Sequence, residues 1–205
     1  FGYFTAHALT DQVGLDSGKL EPSWLESEGI QGQEINLNEN EGDRPLHLSQ
    51  PGRPYFRLAS DQLHFLDKVT TIPGGGRYGQ GYVFARKQVN PGDWFYVCHF
   101  YQDPVMPGSL GVEAILQAMQ AYAIQQNLGM RFKSPHFSLV PNHQTVWKYR
   151  GQIVTTDNEI MLEAHIKEIR QTDQHDILIA DANLWKEGLR IYEIQDAAMG
   201  ISEAG

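Results

Sequence analysis

The segment from Gly108 to about Asn127 constrains the fold most, because it has the pattern of a helix with almost no polar face. Between Asp103 and Arg131, Glu113 is the only residue with a formal charge. A helix on a protein surface normally carries charged residues on its outer side. This one has apolar side chains in most directions: Leu110, Val112, Ile115, Leu116, Met119, Tyr122 and Ile124. We therefore expect the rest of the chain to enclose it.

Runs of β-forming residues precede and follow this helix. We predict strands at 63–72, 82–89, 94–101, 147–155, 159–169, 176–185 and 189–201. Strands, one long helix and then more strands with short turns indicate an α+β protein, because a parallel sheet needs helices alternating with its strands. An antiparallel sheet that curls around a central helix is the simplest architecture that encloses the helix.

The N-terminal quarter of the chain lacks this regularity. It contains scattered polar clusters and ends in a turn-rich stretch, and only the stretch from Pro22 to Glu28 is consistent with a short helix. We interpret residues 1–54 as an N-terminal extension or linker and residues 55–205 as the folded domain.

The composition disfavours several classes of function. The chain has a formal net charge of −9 and no stripe of Lys and Arg of the kind that binds nucleic acid. No run of about 18 apolar residues predicts a membrane-spanning helix. Because Cys98 is the only cysteine, the chain cannot form an internal disulfide, which is consistent with a reducing compartment. We therefore expect a cytoplasmic protein with neither a nucleic-acid partner nor a membrane span.

Two titratable side chains flank the proline-rich turn that precedes the helix. His99 lies in the run WFYVCHFY (94–101), which we predict to be a strand with His99 on an apolar face. Glu113 lies one turn inside the helix. Burial favours the uncharged form of both groups, so the imidazole is a base and the carboxyl a proton donor. Such a pair suits removal of a proton beside a carbonyl and expulsion of a hydroxyl.

The start of the helix offers a third component of a site. The first N–H groups of a helix have no intrahelical acceptor, so those of Gly108 and Ser109 can bind a carbonyl oxygen that gains negative charge. A glycine at position 108 also permits the close approach of an acyl chain. The residues alone leave an alternative open, in which His99 is a packed core residue and Glu113 an ordinary solvated one.

The residues of this stretch closely resemble the 3-hydroxyacyl-acyl-carrier-protein dehydratases, especially the β-hydroxydecanoyl type. The resemblance is carried by HF (99–100), DPVMPG (103–108), LG (110–111) and the spacing Glu113-x-x-x-Gln117. It extends over about residues 55–200 and implies a hot-dog fold, in which a curved antiparallel sheet wraps around a long central helix. The later run ADANLWKEGLRIY is most similar to dehydratase domains of polyunsaturated fatty acid and polyketide synthases.

The resemblance implies a role for each residue of the site. His99 removes the α-proton of a 3-hydroxyacyl thioester, and Glu113 protonates the departing hydroxyl to leave a trans-2-enoyl thioester. The Gly108 N–H, next to Ser109, holds the thioester oxygen.

The resemblance also implies supporting contacts and partners. The Val105 carbonyl orients the His99 ring, and Gln117 binds Glu113. In the family, the histidine and the acid of one site come from opposite protomers, which implies a homodimer or an adjacent hot-dog domain of the same synthase. The substrate is carried on the phosphopantetheine of acyl carrier protein, and no cofactor or metal takes part.

Two residues depart from the β-hydroxydecanoyl type, which also isomerises its product. That type has Asp in place of Glu113 and Cys in place of Ser109, whereas the plain dehydratase branch uses Glu. These differences disfavour isomerisation and leave dehydration in place. Two alternatives stay open: a hot-dog thioesterase in which Glu113 activates water, and a non-catalytic hot-dog module that packs against an active one.

Other motifs have simpler interpretations. The glycines at 74, 76 and 79 match a dinucleotide-binding pattern, but a strand follows them, so we predict a hairpin loop. His99 with Asp103 lacks a third ligand at suitable spacing, so we predict no metal site.

The remaining histidines and the cysteine are not assigned to the site. Strand alternation places Cys98 opposite to His99, so it is not proposed as a nucleophile. We expect four histidines to face solvent: His7, His47, His165 and His175.

Overall fold

The computed structural model describes residues 19–38 and 56–204. The helices are α1 (Trp24–Ser27), α2 (Phe95–Cys98) and α3 (Gly108–Gln125), with one 3-10 turn at Asp61–Leu63. The strands are β1 (Lys19–Leu20), β2 (Gln33–Asn36), β3 (Lys68–Pro73), β4 (Gly81–Gln88), β5 (Pro135–Ser138), β6 (Val146–Tyr149), β7 (Glu159–Gln171), β8 (His175–Lys186) and β9 (Leu189–Glu203).

The strands form one antiparallel sheet. Its order is β1-β9-β8-β7-β4-β3-β2, and β5 and β6 also pair with β9. The long strands β7, β8 and β9 contain shifts of register, one of them between Ile166 and Glu168. Such bulges bend a strand and increase its twist, which allows a sheet to curl.

The central helix α3 lies inside this curved sheet. It packs against β3, β4, β7, β8 and β9, and side chains such as Ala114, Ile115, Ala118 and Met119 are fully buried. The alanines let the sheet approach the helix closely, while Ile115 and Met119 fill the space between them. The enclosed helix, the α+β class and the hot-dog architecture are therefore confirmed.

The run at 94–101 is not a strand, and this prediction is wrong. Phe95 and Tyr96 are both buried whereas Val97 and Cys98 are both exposed, so burial does not alternate. The chain leaves the turn at Asn90 with helical backbone angles and forms α2, whose C-cap is His99. Aromatic and β-branched composition favours a strand, but the preceding turn and the burial of two consecutive rings decide the local structure.

The other predicted strands are present with shifted ends. The strand expected at 63–72 begins only at Lys68, because the residues before it form the 3-10 turn and a bend. The strand expected at 147–155 ends at Tyr149. The glycine-rich segment between β3 and β4 is the predicted hairpin loop, with Gly74, Gly76 and Gly79 at positive φ.

Part of the segment 1–54 belongs to the sheet. Strand β1 pairs with β9, and β2 pairs with β3. The predicted short helix is α1, which begins with a capping box formed by Ser23 and Glu26. The remainder of 1–54, including His7 and His47, lies outside the described residues.

The prediction that His165 faces solvent is wrong. His165 is fully buried, and its Nε2 lies 3.0 Å from a carboxylate oxygen of Glu163, which is also buried. His175, by contrast, is partly exposed. Strand β7 has sheet neighbours on both sides and α1 above it, so its polar positions are covered as well.

No helix in the part of the chain that the structure describes is long and apolar enough to cross a membrane.

Candidate active site

His99 is held by a backbone carbonyl on the far side of the proline-rich turn. Its Nδ1 lies 2.8 Å from the carbonyl oxygen of Val105. A carbonyl only accepts hydrogen bonds, so Nδ1 carries a proton, and in the neutral form of the ring the lone pair is therefore on Nε2. The ring of Phe100 packs on the imidazole with the centroids 4.0 Å apart. The two contacts thus fix the orientation of the ring and leave Nε2 as the nitrogen that can act as a base.

Val105 is itself fixed in place. Its N–H donates to the Asp103 carbonyl, and it forms an isolated antiparallel bridge with Val154. Val105 is 2% exposed. The carbonyl that orients His99 therefore belongs to a buried residue whose backbone is held on both sides of the turn.

Glu113 is oriented by the residue one turn further along α3. The side-chain amide of Gln117 donates to Oε1 of Glu113 over 2.9 Å, as residues four apart on a helix allow. Gln117 is fully buried and also binds two backbone groups outside the helix. Its Oε1 accepts from the N–H of Phe65, and its Nε2 donates to the carbonyl of Leu63. These contacts fix the amide so that its nitrogen faces Glu113. Glu113 itself is partly exposed.

Aromatic residues surround the first residue of α3. A side chain at Gly108 would lie 2.9 Å from the Trp147 ring and 3.3 Å from the Tyr149 ring, so only glycine fits without displacing them. The Tyr192 hydroxyl donates to the Gly108 carbonyl over 3.1 Å. Burial raises the pKa of Tyr192, so its hydroxyl stays protonated and remains a donor.

The first turn of α3 receives no side-chain cap from the residue that precedes it. Pro107 is the N-cap and makes no side-chain cap, and Ser109 is exposed. Because N–H groups in the first helical turn lack intrahelical acceptors, those of Gly108 and Ser109 can bind an oxygen with partial negative charge.

One chain brings the predicted site residues together in two groups. His99 contacts Val105, and Glu113 contacts Gln117. Among the hydrogen bonds and ion pairs of residues 19–38 and 56–204, none joins His99 directly to Glu113.

Sequence reasoning missed the aromatic residues around Gly108 and the backbone contacts of Gln117. Alternation in the run WKY did place Trp147 and Tyr149 on one face of a strand, which was the available signal. Nothing local indicates that this face meets the start of α3, because the two segments are distant in sequence. The backbone groups of Leu63 and Phe65 have no sequence signal.

Comparison with known families decides the classification. A family model described as "FabA-like domain" matches residues 58–195. The chain belongs to the FabA-like domain family. The proline-rich turn, His99 and α3 all lie within the matched part of this FabA-like domain.

One curated relative of the FabA-like domain is much longer than this chain. It is a component of the polyunsaturated fatty acid synthase of a Thraustochytrium species, with 35% identity over 208 aligned residues. The alignment covers 98% of this chain but only 14% of the relative. The domain is thus similar to a small part of a much larger protein.

The solved structures have lower sequence identity to this chain than the synthase component has. The dehydratase heterocomplex ApeI:P from Xenorhabdus doucetiae has 10% identity and a TM-score of 0.49, covering 74% of this chain and 90% of that one. A hypothetical thioesterase with coenzyme A from Streptococcus pneumoniae has 11% identity and a TM-score of 0.39, covering 66% and 87%.

Proposed function

We propose that this FabA-like domain is a dehydratase that converts 3-hydroxyacyl thioesters on acyl carrier protein to trans-2-enoyl thioesters. The observation that carries the proposal is the orientation of His99, whose Nδ1 is occupied by the Val105 carbonyl so that Nε2 is available as a base. Membership of the FabA-like family over residues 58–195 supports the same chemistry.

The reaction needs one base and one acid. Nε2 of His99 removes the proton from the carbon beside the thioester carbonyl, and the electron pair forms the double bond as the C–O bond at position 3 breaks. The protonated carboxyl of Glu113 gives its proton to the leaving hydroxyl, which departs as water. Proton transfer from the imidazolium to the carboxylate restores the starting state.

The backbone at the start of α3 stabilises the negative charge that develops during proton removal. The Gly108 N–H donates to the thioester oxygen, which is the atom that gains charge, and the Ser109 N–H lies next to it. Tyr192 and the rings of Trp147 and Tyr149 hold Gly108 in place. No step requires a metal or a redox cofactor, and phosphopantetheine only carries the substrate.

The site is completed by a second hot-dog domain. In the dehydratases that this chain resembles, the histidine and the acid of one site come from opposite protomers, which supports this part of the proposal. Val97 is 86% exposed and Tyr101 90% exposed on either side of His99, and apolar groups in such positions favour burial against another chain. The partner is a second copy or an adjacent hot-dog domain of the same synthase.

Glu113 and Ser109 replace the Asp and Cys of the isomerising type. We therefore propose that the domain dehydrates without moving the double bond.

Product analysis tests this function. The domain is incubated with a 3-hydroxyacyl thioester of acyl carrier protein, and the acyl group is followed by mass spectrometry together with the release of free thiol. We expect loss of one water from the acyl group with the thioester intact. Thiol release without loss of water would instead identify a thioesterase, and binding without conversion in any pairing with another hot-dog domain would identify a non-catalytic module.

A further inference from the structure

Two separate segments hold the proposed base and acid, and one indole hydrogen bond joins them. Helix α2 has His99 as its C-cap, while the segment 61–65 supplies the backbone groups that hold Gln117. The indole Nε1–H of Trp94 donates to the carbonyl of Gln62 over 2.9 Å. This bond runs along a surface recess of about 370 Å³ that is bordered by both segments.

The segment 61–65 determines where the Glu113 carboxylate lies. Gln117 binds the Leu63 carbonyl over 2.8 Å and the Phe65 N–H over 3.0 Å. The same buried amide donates to Glu113 over 2.9 Å. A shift of this segment therefore moves Gln117, and Gln117 moves the carboxylate.

Helix α2 transmits the position of Trp94 to the imidazole. Trp94 is the N-cap of this single turn, and the N–H of His99 closes the turn by donating to the Phe95 carbonyl. Phe95 is 3% exposed and packs edge-on against the Trp94 ring and at a tilt against Phe65. Because the helix has only four residues, we expect a displacement of Trp94 to reach His99 through this single turn.

We propose that Trp94 is a positioning residue that couples the orientation of His99 to that of Glu113 through its hydrogen bond to Gln62. Trp94 is 37% exposed, so its ring is only partly buried, and its N–H forms a direct hydrogen bond between the two segments. The catalytic part of this inference rests on the proposed function, whereas the mechanical part does not. The coupling holds whether the two groups serve one pocket or the two pockets of a pair.

The chain offers a matched control for this bond. Trp185 likewise donates its indole N–H to a backbone carbonyl, that of Glu21, over 2.8 Å. That bond ties the N-terminal segment to β8 and contacts neither α2 nor Gln117. Trp185 is only 2% exposed, so its substitution should cost at least as much stability as substitution of Trp94.

The experiment compares Trp94→Phe with Trp185→Phe in the full chain. Steady-state kinetics on the 3-hydroxyacyl thioester give kcat and KM, and NMR-detected hydrogen exchange gives protection at the backbone amides of Phe65 and His99. We expect Trp94→Phe to lower kcat about tenfold while KM stays within about twofold, since small displacements of catalytic groups are costly. We also expect exchange at both amides to accelerate about tenfold, while Trp185→Phe changes neither.

Equal kcat and equal exchange in the two variants would overturn the proposal. If the wild-type chain shows no turnover, either alone or together with the adjacent hot-dog domain of its synthase, the proposed function fails, but exchange at Phe65 and His99 still decides whether Trp94 couples the segments. Should Trp94→Phe not fold, benzothienylalanine at position 94 keeps the ring volume and removes only the N–H donor. The same pair of amides then decides: faster exchange supports the coupling and unchanged exchange contradicts it.

Discussion

The Val105 carbonyl accepts a hydrogen bond from one nitrogen of His99, and that contact selects the other nitrogen as the base. Gln117 does the equivalent for the acid, because its three hydrogen bonds leave the amide a single orientation. Val105 and Gln117 contribute by fixing the orientation of the His99 ring and of the Glu113 carboxylate. They touch neither the thioester nor the leaving hydroxyl in the proposed reaction.

Replacing Gln117 with Met tests this role at the residue scale. The change leaves the Phe65 N–H and the Leu63 carbonyl without their side-chain partner, which should lower the free energy of unfolding by about 2 kcal/mol. It also frees the Glu113 carboxylate, so we expect kcat to fall about tenfold with KM little changed. Urea unfolding and steady-state kinetics measure the two effects.

Gln120→Met is the control for this substitution. Gln120 lies in the same helix and is partly exposed, so its replacement should leave both quantities near their wild-type values. If Gln117→Met matched this control in kcat, Gln117 would not position the acid.

Contacts between site residues that are close in the sequence were easier to predict than contacts that depend on strand pairing. The contacts of His99 with Val105 and of Glu113 with Gln117 were implied by the resemblance to the dehydratases, and each of them joins residues that are close in the sequence. Tyr192 and Trp147 were not predictable as neighbours of Gly108, because strand pairing between β6 and β9 brings them there. Such contacts depend on the register of the sheet, which the sequence does not state directly.

At the scale of elements, α2 and β7 show where local patterns mislead. The run at 94–101 has the composition of a strand but forms a single helical turn, because two consecutive rings are buried there. Strand β7 alternates between polar and apolar residues, yet its polar residues Glu163 and His165 are buried. In both cases packing by a distant segment overrides the local preference.

The Glu163 carboxylate joins several elements in one buried network. It accepts hydrogen bonds from the Trp24 N–H, the Tyr82 hydroxyl, the Asn183 amide and the His165 ring. Burial raises the pKa of Glu163, but the hydrogen bond from His165, together with those from the other donors, outweighs burial and holds the pKa below its ordinary value. The network therefore favours the ionised carboxylate.

Because the pKa of Glu163 is lower in the folded state than in the unfolded state, the free energy of unfolding depends on pH. The contribution of Glu163 is fully present above the unfolded-state pKa, about 4.3, and is lost as the pH falls through the lower pKa of the folded state. We expect Glu163→Gln to lower the unfolding free energy at pH 7 by about 3 kcal/mol, because it breaks a buried hydrogen-bonded pair. Its stability should also decline less than that of the wild type between about pH 5 and pH 3.

Urea unfolding at several pH values checks this prediction. Glu168→Gln is the control, since Glu168 lies on the same strand with a side chain that is 46% exposed and paired with Arg170. A loss at pH 7 no larger than that of the control would contradict a structural role for the Glu163 network.

At the scale of the whole molecule, a curved antiparallel sheet encloses one apolar helix. It leaves Val97 and Tyr101 exposed on either side of His99. The enclosed helix was predictable, because a helix with one charge along its length needs cover on nearly every side. The order of the strands was not predictable from composition or periodicity. It depends on β9, which pairs along its length with β8, β6, β5 and β1.

If two copies of the chain complete each other's sites, two inactive variants should restore activity when combined. We expect co-expressed His99→Ala and Glu113→Gln to recover about one quarter of wild-type activity, because half of the symmetric pairs are mixed and each contains one intact site. Activity of the co-purified mixture, compared with each variant alone, measures this. No recovery would indicate that the partner is a different hot-dog domain or that both groups act within one chain.

The measurement that tests the central claim most directly is the turnover number of His99→Ala and Glu113→Gln on a 3-hydroxyacyl thioester. Loss of a general base or acid should lower kcat by at least about 100-fold, with thermal unfolding close to that of the wild type. His175→Ala, which removes an imidazole from a partly exposed position, should retain full activity. Wild-type kcat in either the His99 or the Glu113 variant would contradict the proposed elimination.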